Sequence, residues 1–406
     1  MKDERLIFLE DLAKYVIKKS TFKKETYYFG KKEMTDVLIP GGDETYYSFW
    51  VRDCAMMVES GLVDNNSVKK YIEIFSTCGQ NGKDTLYLEN GLIVPPYAVC
   101  DHANYNGKPV FFPGTYDDGA NQGTGEWGTY PPFCDNYYYV IMVNQYLKQS
   151  NDYQILENVY NGMKLIDRIK YAFIGYNVDK ETDLCYSEKG RHTVSWGFTD
   201  SVRMNGLVLF GSILRYNAAK CLYEITKDSE YSIRAEKIRK NIIDKFYDEE
   251  SGWFYSSTGD DKQHDVNGTV YAVFSGISDD IKIAKAVTEA YIDGYTTKSG
   301  YIRHIATNKD YERGVKCWAD CGVDYDNYQN GTYWATGTGW YAYAMSLYSK
   351  ECALRLIDEY ISHTKLNLDN GSPFEYFNAY KKQAKWYGTS GVIPFIGYKK
   401  MIENNK

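Results

Sequence analysis

Apolar positions recur at helical spacing along almost the whole chain, and the polar positions between them keep the complementary phase. The longest unbroken example is the run Leu207 to Tyr223. Read this way, the sequence predicts helices at 3–19, 46–60, 66–78, 134–149, 152–170, 202–226, 229–247, 266–276, 279–293, 337–349, 351–364 and 386–403. Extended, Gly- and Pro-rich stretches separate some of them, at 79–133, 172–200, 248–265, 294–335 and 366–385. Other links are short, such as Lys227-Asp228 and Ile277-Ser278, and these make helix hairpins.

Twelve helices joined alternately by short and long links suit six hairpins closed into an all-α (α/α)6 toroid. The long loops then gather at one end and build a site there, since loops of this length inside a compact domain are usually functional. A helical solenoid is the alternative, but no fixed repeat runs through the sequence. No break in composition marks a second domain, so residues 1–406 are expected to form one catalytic domain. Gly alternating with Tyr, Ile and Val predicts short β-hairpins within 79–115 and 294–315.

Composition narrows the function. The net charge is −7 and no block of Lys and Arg stands out, which argues against a nucleic-acid partner. No window has the length and apolarity of a membrane span, and the first residues, Met1 to Arg5, are charged rather than a signal core. Nine scattered cysteines without a C-x-x-C pair read as reduced thiols, which points to a cytoplasmic protein. The unusual figure is the aromatic content, 16%, with 41 Tyr and 8 Trp. Many of these rings stand beside Gly, Asn and Asp in the loops, where they suit carbohydrate: a ring stacks on the sugar's C–H face while polar neighbours take its hydroxyls.

Five stretches carry candidate chemistry. In Phe49-Trp50-Val51-Arg52-Asp53 a Trp precedes an Arg–Asp pair that can grip hydroxyls through charge-assisted hydrogen bonds, or can form an internal ion pair. Glu126, Trp127 and Asp135 lie in and after a Gly/Pro loop, where Asp135 serves equally as a helix cap or a substrate holder. Trp196-Gly197-Phe198-Thr199-Asp200 leads to Arg203, and places an acid where it can work as a catalyst or simply cap the next helix. Tyr333 and Trp334 lie in a stretch with three glycines that reads as a pocket wall. Glu375 stands between Phe374 and Tyr376 after a tight Asn-Gly turn. An apolar surround of that kind perturbs a carboxyl. The five histidines are not spaced as metal ligands, and neither a phosphate loop nor a nucleophile elbow occurs, so carboxylates are the natural catalysts and no metal or cofactor is expected.

Taken in order, Trp196 to Arg203, Tyr328 to Trp340 and Pro373 to Asn378 resemble the catalytic domains of clan G glycoside hydrolases, families 63 and 37. Phe49 to Asp53 looks like the Trp-x-Arg-Asp segment seen across six-hairpin glycosidases. The resemblance implies Asp200 as general acid and Glu375 as general base, with a subsite lined by Trp50, Arg52, Asp53, Asp135, Tyr333 and Trp334. The sequence departs from the pattern in three ways. No β-sandwich of the kind that often precedes the barrel is expected within these 406 residues, Asp200 falls one place late between Gly197 and Arg203, and Trp334-Ala335-Thr336-Gly337 lacks the usual Arg-Gly.

The expectation is therefore an inverting exo-glycosidase acting on an α-glycoside, an α-glucoside by resemblance. Trp334 to Trp340 also resembles a segment of unsaturated glucuronyl hydrolases, which hydrate a double bond on an anionic sugar. A non-catalytic carbohydrate-binding toroid and an epimerase are the remaining alternatives. Asp53 and Glu126 rival Asp200 for the acid role.

Overall fold

The computed structural model describes residues 3–28, 31–43, 45–89, 91–112, 128–259, 263–304, 326–378 and 381–404. Twelve α-helices are present among them: α1 (Glu4–Ser20), α2 (Val51–Val58), α3 (Asn65–Ile74), α4 (Phe133–Ser150), α5 (Leu165–Ile174), α6 (Leu209–Thr226), α7 (Ser229–Phe246), α8 (Val266–Phe274), α9 (Ile281–Asp293), α10 (Thr338–Ser346), α11 (Lys350–Asn367) and α12 (Gly388–Glu403).

The two kinds of helix alternate along the chain. The even-numbered ones are apolar round most of their circumference. Every residue of α2 is buried, as are Thr338 through Met345 of α10. The odd-numbered ones bury a single stripe, as Leu9, Leu12, Ala13 and Val16 of α1 do. In α11 the stripe is Cys352, Ala353, Leu356, Ile357, Tyr360 and Ile361. A helix buried on all sides needs partners on all sides, whereas one with a single apolar stripe covers a neighbour and faces water.

The described residues divide into two compact units. One holds Met1–Thr21, Pro40–Tyr46 and Ile242–Lys406; the other holds Phe22–Ile39 and Tyr47–Asn241. In the first unit α10 packs against α8, α9, α11 and α12, and α1 covers α12. The approach of α10 to α12 is close because both helices present glycine there: a Cβ on Gly397 would fall 2.1 Å from the Gly339 carbonyl oxygen. In the second unit α4 packs against α2, α3, α5 and α6.

Short antiparallel ribbons fill the long links. The first unit has a five-stranded sheet ordered Thr297–Lys298, Tyr301–Ile302, Tyr333–Trp334, Tyr376–Phe377, Lys382–Gln383. In the second unit Phe49–Trp50 pairs with His102–Ala103, and that strand with Pro109–Val110. The hairpins expected within 79–115 are present, as is the 297–302 part of the one expected at 294–315.

Four sequence expectations are corrected. The helix expected at 152–170 is instead a 3-10 turn, Tyr153–Glu157, then a tight ribbon, Val159–Tyr160 with Met163–Lys164, then α5. The cause is Asn161-Gly162, whose φ values of 46° and 79° turn the chain back. The helix expected at 202–226 begins only at Leu209, because Gly206-Leu207 pairs with Tyr186-Ser187. Trp50 ends a strand rather than lying inside a helix expected from 46. Finally, Thr21–Tyr28 and Lys31–Leu38 form a ribbon that the periodicity did not announce.

Candidate functional site

The predicted site residues that are described fall into two clusters, one in each unit. Glu126 and Trp127 lie outside the described residues.

In the first unit Glu375 is 2% exposed. Its amide donates to the carbonyls of Gln383 (3.0 Å) and Ala384 (3.1 Å), which fixes the backbone beside the sheet. Its carboxylate accepts the hydroxyl of Tyr46, 2.9 Å from Oε2 and 3.2 Å from Oε1. Tyr46 has φ of 63°, a conformation that costs a bulky residue energy and is kept only where the surroundings impose it. The surroundings here are the 40–46 segment tied to the chain around Tyr387. Gly42 N–H donates to Lys385, Gly388 N–H donates to Pro40, and the Tyr46 ring stands edge-on to Tyr387 with centroids 6.3 Å apart. Tyr46 thus delivers a hydroxyl to a buried carboxylate from a segment 329 positions away in sequence.

The sheet register sets the predicted aromatic residues beside the segment that carries Glu375: Trp334 pairs with Tyr376, and Tyr333 with Phe377. Trp334 is buried and stacks on Tyr376 at 5.0 Å, with its indole N–H donating to Thr332 Oγ1 at 2.8 Å. Tyr333 is half-buried. The Arg303 guanidinium and Lys298 ammonium lie 5.4 and 5.9 Å from its ring centre. His304 stands edge-on to Trp334, and its Nδ1 lies 2.8 Å from the Asn267 amide nitrogen. Burial holds its pKa down to about 3, so the ring is neutral. Trp340 belongs to the core, 4.4 Å from the Tyr271 ring.

In the second unit the Trp50–Asp53 segment meets the Trp196–Asp200 segment through Arg52. Arg52 is 6% exposed, and its Nη1 donates to Asp101 Oδ1 at 3.2 Å while Nη2 lies 3.6 Å from Asp53 Oδ2. Burial disfavours the charge on Arg52, but Asp101 and Asp53 outweigh that and push its pKa up. The guanidinium lies against Gly197, where a Cβ would come within 1.6 Å of Nη1. It also lies 4.9 Å from the Phe198 ring centre. The glycine is therefore required for close approach rather than for its backbone angles.

Asp135 is fully buried in the first turn of α4. Burial, and then the charge of Asp101, raise its pKa well above the ordinary carboxylate value, against the opposing charge of Arg52. Trp196 is fully buried and stacks on Phe210 at 3.9 Å, so it supports the turn from within. Thr199 donates its amide and hydroxyl to the Trp196 carbonyl, which forms a single 3-10 turn, Gly197–Thr199. Asp200 closes that turn half-exposed, with Arg203 half-buried three residues on. The sequence placed Asp200 at the mouth of a helix. The structure places it on this turn, with a strand pair between it and α6.

Two functional-looking residues were not singled out from the sequence. Asp101 Oδ2 holds His102 Nδ1 at 2.8 Å, and the His102 ring stacks on Trp50 with centroids 4.0 Å apart. The available signal was the adjacent Asp-His pair in a Gly/Pro-rich stretch. A separate open cavity of about 400 Å³ borders the 31–38 strand and the start of α3 and contains none of the candidate residues. Among the described residues no cluster of three His, Cys, Asp or Glu could hold a metal ion, and no helix is long and apolar enough to cross a membrane.

In sequence, no protein-family model and no curated protein matches the chain. In three dimensions it is similar to the glucoamylase from Saccharomycopsis fibuligera, with TM-score 0.59 and 15% identity over 100% of this chain and 97% of that one. It is also similar to the cellobiose 2-epimerase from Bacillus thermoamylovorans B4167, with TM-score 0.57 and 11% identity over 97% and 99%. A rhamnosidase from Klebsiella oxytoca, solved with rhamnose bound, gives TM-score 0.58 and 11% identity over 98% of this chain. The chain spans only 64% of that rhamnosidase and 35% of the GH78 rhamnosidase of Bacillus sp. GL1. These likenesses define the fold class: an all-α (α/α)6 toroid with short antiparallel ribbons in its long links.

Proposed function

We propose that the protein is a sugar-processing enzyme, specifically an inverting exo-glycosidase that hydrolyses an α-glucoside. Asp200 protonates the glycosidic oxygen. Glu375 takes a proton from the water that attacks the opposite face of the sugar. Trp50, Asp53, Asp135, Trp196, Arg203, Tyr333 and Trp334 shape or line the subsite, and Arg52 braces it. The observation that carries this reading is the setting of Glu375. It is a buried carboxylate held by its backbone at a sheet edge, given a hydroxyl by a strained tyrosine, and placed among aromatic rings. Such an arrangement keeps an acceptor fixed in a water-poor place, as a general base requires. A reducing, cytoplasmic setting is part of the proposal and rests on the sequence alone, whose scattered cysteines form no C-x-x-C pair.

One observation favours a second reading. Lys298 and Arg303 bring two cations to the Tyr333 ring, and this suits a sugar carrying a carboxylate. An unsaturated glucuronyl hydrolase would use that charge.

The test is turnover of α- and β-glycosides and Δ4,5-unsaturated uronides, with NMR reading the anomer first released. An α-glycoside giving the β-anomer, with Asp200→Asn and Glu375→Gln each slower by about 10²–10⁴-fold, supports the proposal. Turnover of the uronide alone moves the assignment to the second reading. Release of the α-anomer refutes inversion.

A further inference from the structure

The two candidate arms of the second unit share one carboxylate. Asp101 Oδ1 accepts from Arg52, and Arg52 lies against Gly197 and the Phe198 ring, the turn that ends in Asp200. Asp101 Oδ2 takes His102 Nδ1, and His102 backs the half-buried ring of Trp50. Both oxygens are committed, each to a different arm. The backbone of Asp101 is fixed as well. Its amide donates to the Val110 carbonyl (3.0 Å) and its carbonyl accepts from the Val51 amide (2.9 Å) at the first residue of α2. The side chain is 3% exposed, so water does not replace either partner.

We propose that Asp101 is a positioning residue that couples the sugar-stacking ring of Trp50 to the turn carrying Asp200. The proposal rests on the roles given to those two residues above. Arg52 is the rigid link: it is buried, held by Asp101 and pressed on a glycine that leaves it no other room. A sugar seated on Trp50 and the acid that serves it are thereby held in one register by a group that touches neither. Substitution of Asp101 by Asn removes the charge that fixes Arg52 and leaves one acceptor oxygen where two are used.

Three variants separate the arms. Gly197→Ala puts a methyl where Arg52 lies, so it displaces the acid turn: kcat falls about tenfold or more with KM little changed, the cost expected of a displaced catalytic group. His102→Phe keeps a flat ring behind Trp50 but loses the bond to Asp101: KM rises about fivefold with kcat little changed. Asp101→Asn shows both effects, and Asp101→Asn combined with Gly197→Ala is no slower in kcat than Gly197→Ala alone.

Hydrogen exchange supplies a readout that needs no substrate. The Thr199 and Val202 amides, bonded to the Trp196 and Thr199 carbonyls, exchange about tenfold faster in both Gly197→Ala and Asp101→Asn, while α2 and α4 keep their protection. Unchanged exchange at Thr199 and Val202 in Asp101→Asn overturns the coupling, and so does a uniform loss of protection across the unit, which is what a merely structural residue would give. If the wild type turns over no glycoside, the glycosidase reading falls while exchange still decides the coupling.

Discussion

Replacing Tyr46 by Phe isolates the contact that most directly prepares Glu375. The substitution removes one oxygen. It keeps the ring that packs edge-on to Tyr387 and the left-handed backbone conformation imposed by the 40–46 segment. What is lost is a donor placed 2.9 Å from Oε2 and 3.2 Å from Oε1 of Glu375, a residue only 2% exposed. A hydrogen bond to a charged group contributes about 1.5–3 kcal/mol. If Tyr46 keeps the general base oriented through the transition state, the whole of that appears in the barrier, and kcat falls by about 10- to 150-fold. KM should move little, because the hydroxyl serves the base rather than the sugar. Steady-state kinetics on the best glycoside, with circular dichroism to show that the fold is intact, make the measurement. Wild-type kcat in a folded Tyr46→Phe protein would refute the reasoning, as would a loss confined to KM.

Gly397→Ala pushes a methyl to within 2.1 Å of the Gly339 carbonyl oxygen, so α10 and α12 must part. The expected destabilisation is about 1–3 kcal/mol in urea titration despite alanine's better helix propensity, whereas Gly82→Ala, which meets nothing within 4 Å, stays close to wild type. Two acids should give opposite pH dependences of stability. Asp265 caps α8 from a buried position that raises its pKa to about 7, so its folded form prefers the proton and stability is lost as pH rises from about 4 through 7. Asp265→Asn should therefore unfold at a higher temperature than wild type at pH 8 and at a similar one at pH 4. Burial raises the pKa of Asp248, but hydrogen bonds from Ser251, His264, Tyr255 and the Glu250 amide lower it further, to about 2. Its contribution is present above about pH 4 and lost as pH falls through 2, and Asp248→Asn should flatten acid unfolding in that window.

The helices were legible because a repeat near 3.6 leaves a long, redundant signal in the sequence. The short elements were not, because each depends on one or two residues. Asn161-Gly162 is a strong hairpin signal that a longer helical pattern masked. The Thr21–Leu38 ribbon buries little beyond Thr26, Tyr28, Thr35, Val37 and Leu38, so its alternation is lost among exposed charges. The candidate site was legible as segments and illegible as contacts. Trp50–Asp53, Trp196–Asp200 and Phe374–Tyr376 could each be picked out by residue type. That Arg52 rests on Gly197, or that Tyr46 reaches Glu375, depends on chain closures that one sequence does not encode locally. Asp101 was passed over for the same reason, since its meaning lies entirely in its two partners.

The capping of most helices differs between those near the candidate site residues and those away from them. The one-sided helices α1, α3, α9 and α11 are capped by their own side chains: Asp3, Asp64, Asp280 and Ser349 accept from first-turn amides. The buried helices α2, α4, α6, α10 and α12 have Trp50, Pro132, Val208, Gly337 and Tyr387 at that position, with no side-chain cap; buried α8, capped by Asp265, and one-sided α5, uncapped at Lys164, are the exceptions. Trp50 to Asp53 and Asp135 lie at the starts of two of these helices, and Asp200, Trp334 and Glu375 lie on the links that lead into three others. A cap of the first kind satisfies orphan amides, and Asp3 and Asp280 also accept the Tyr398 and Tyr247 hydroxyls; none of these contacts reaches a candidate site residue, so its loss is expected in stability alone. Asp64→Ala and Asp280→Ala should each cost about 0.5–2 kcal/mol in chemical unfolding and leave kcat and KM at wild-type values. A fall in kcat in either variant, measured well below its melting temperature, would show that the division between holding and working helix ends is drawn in the wrong place.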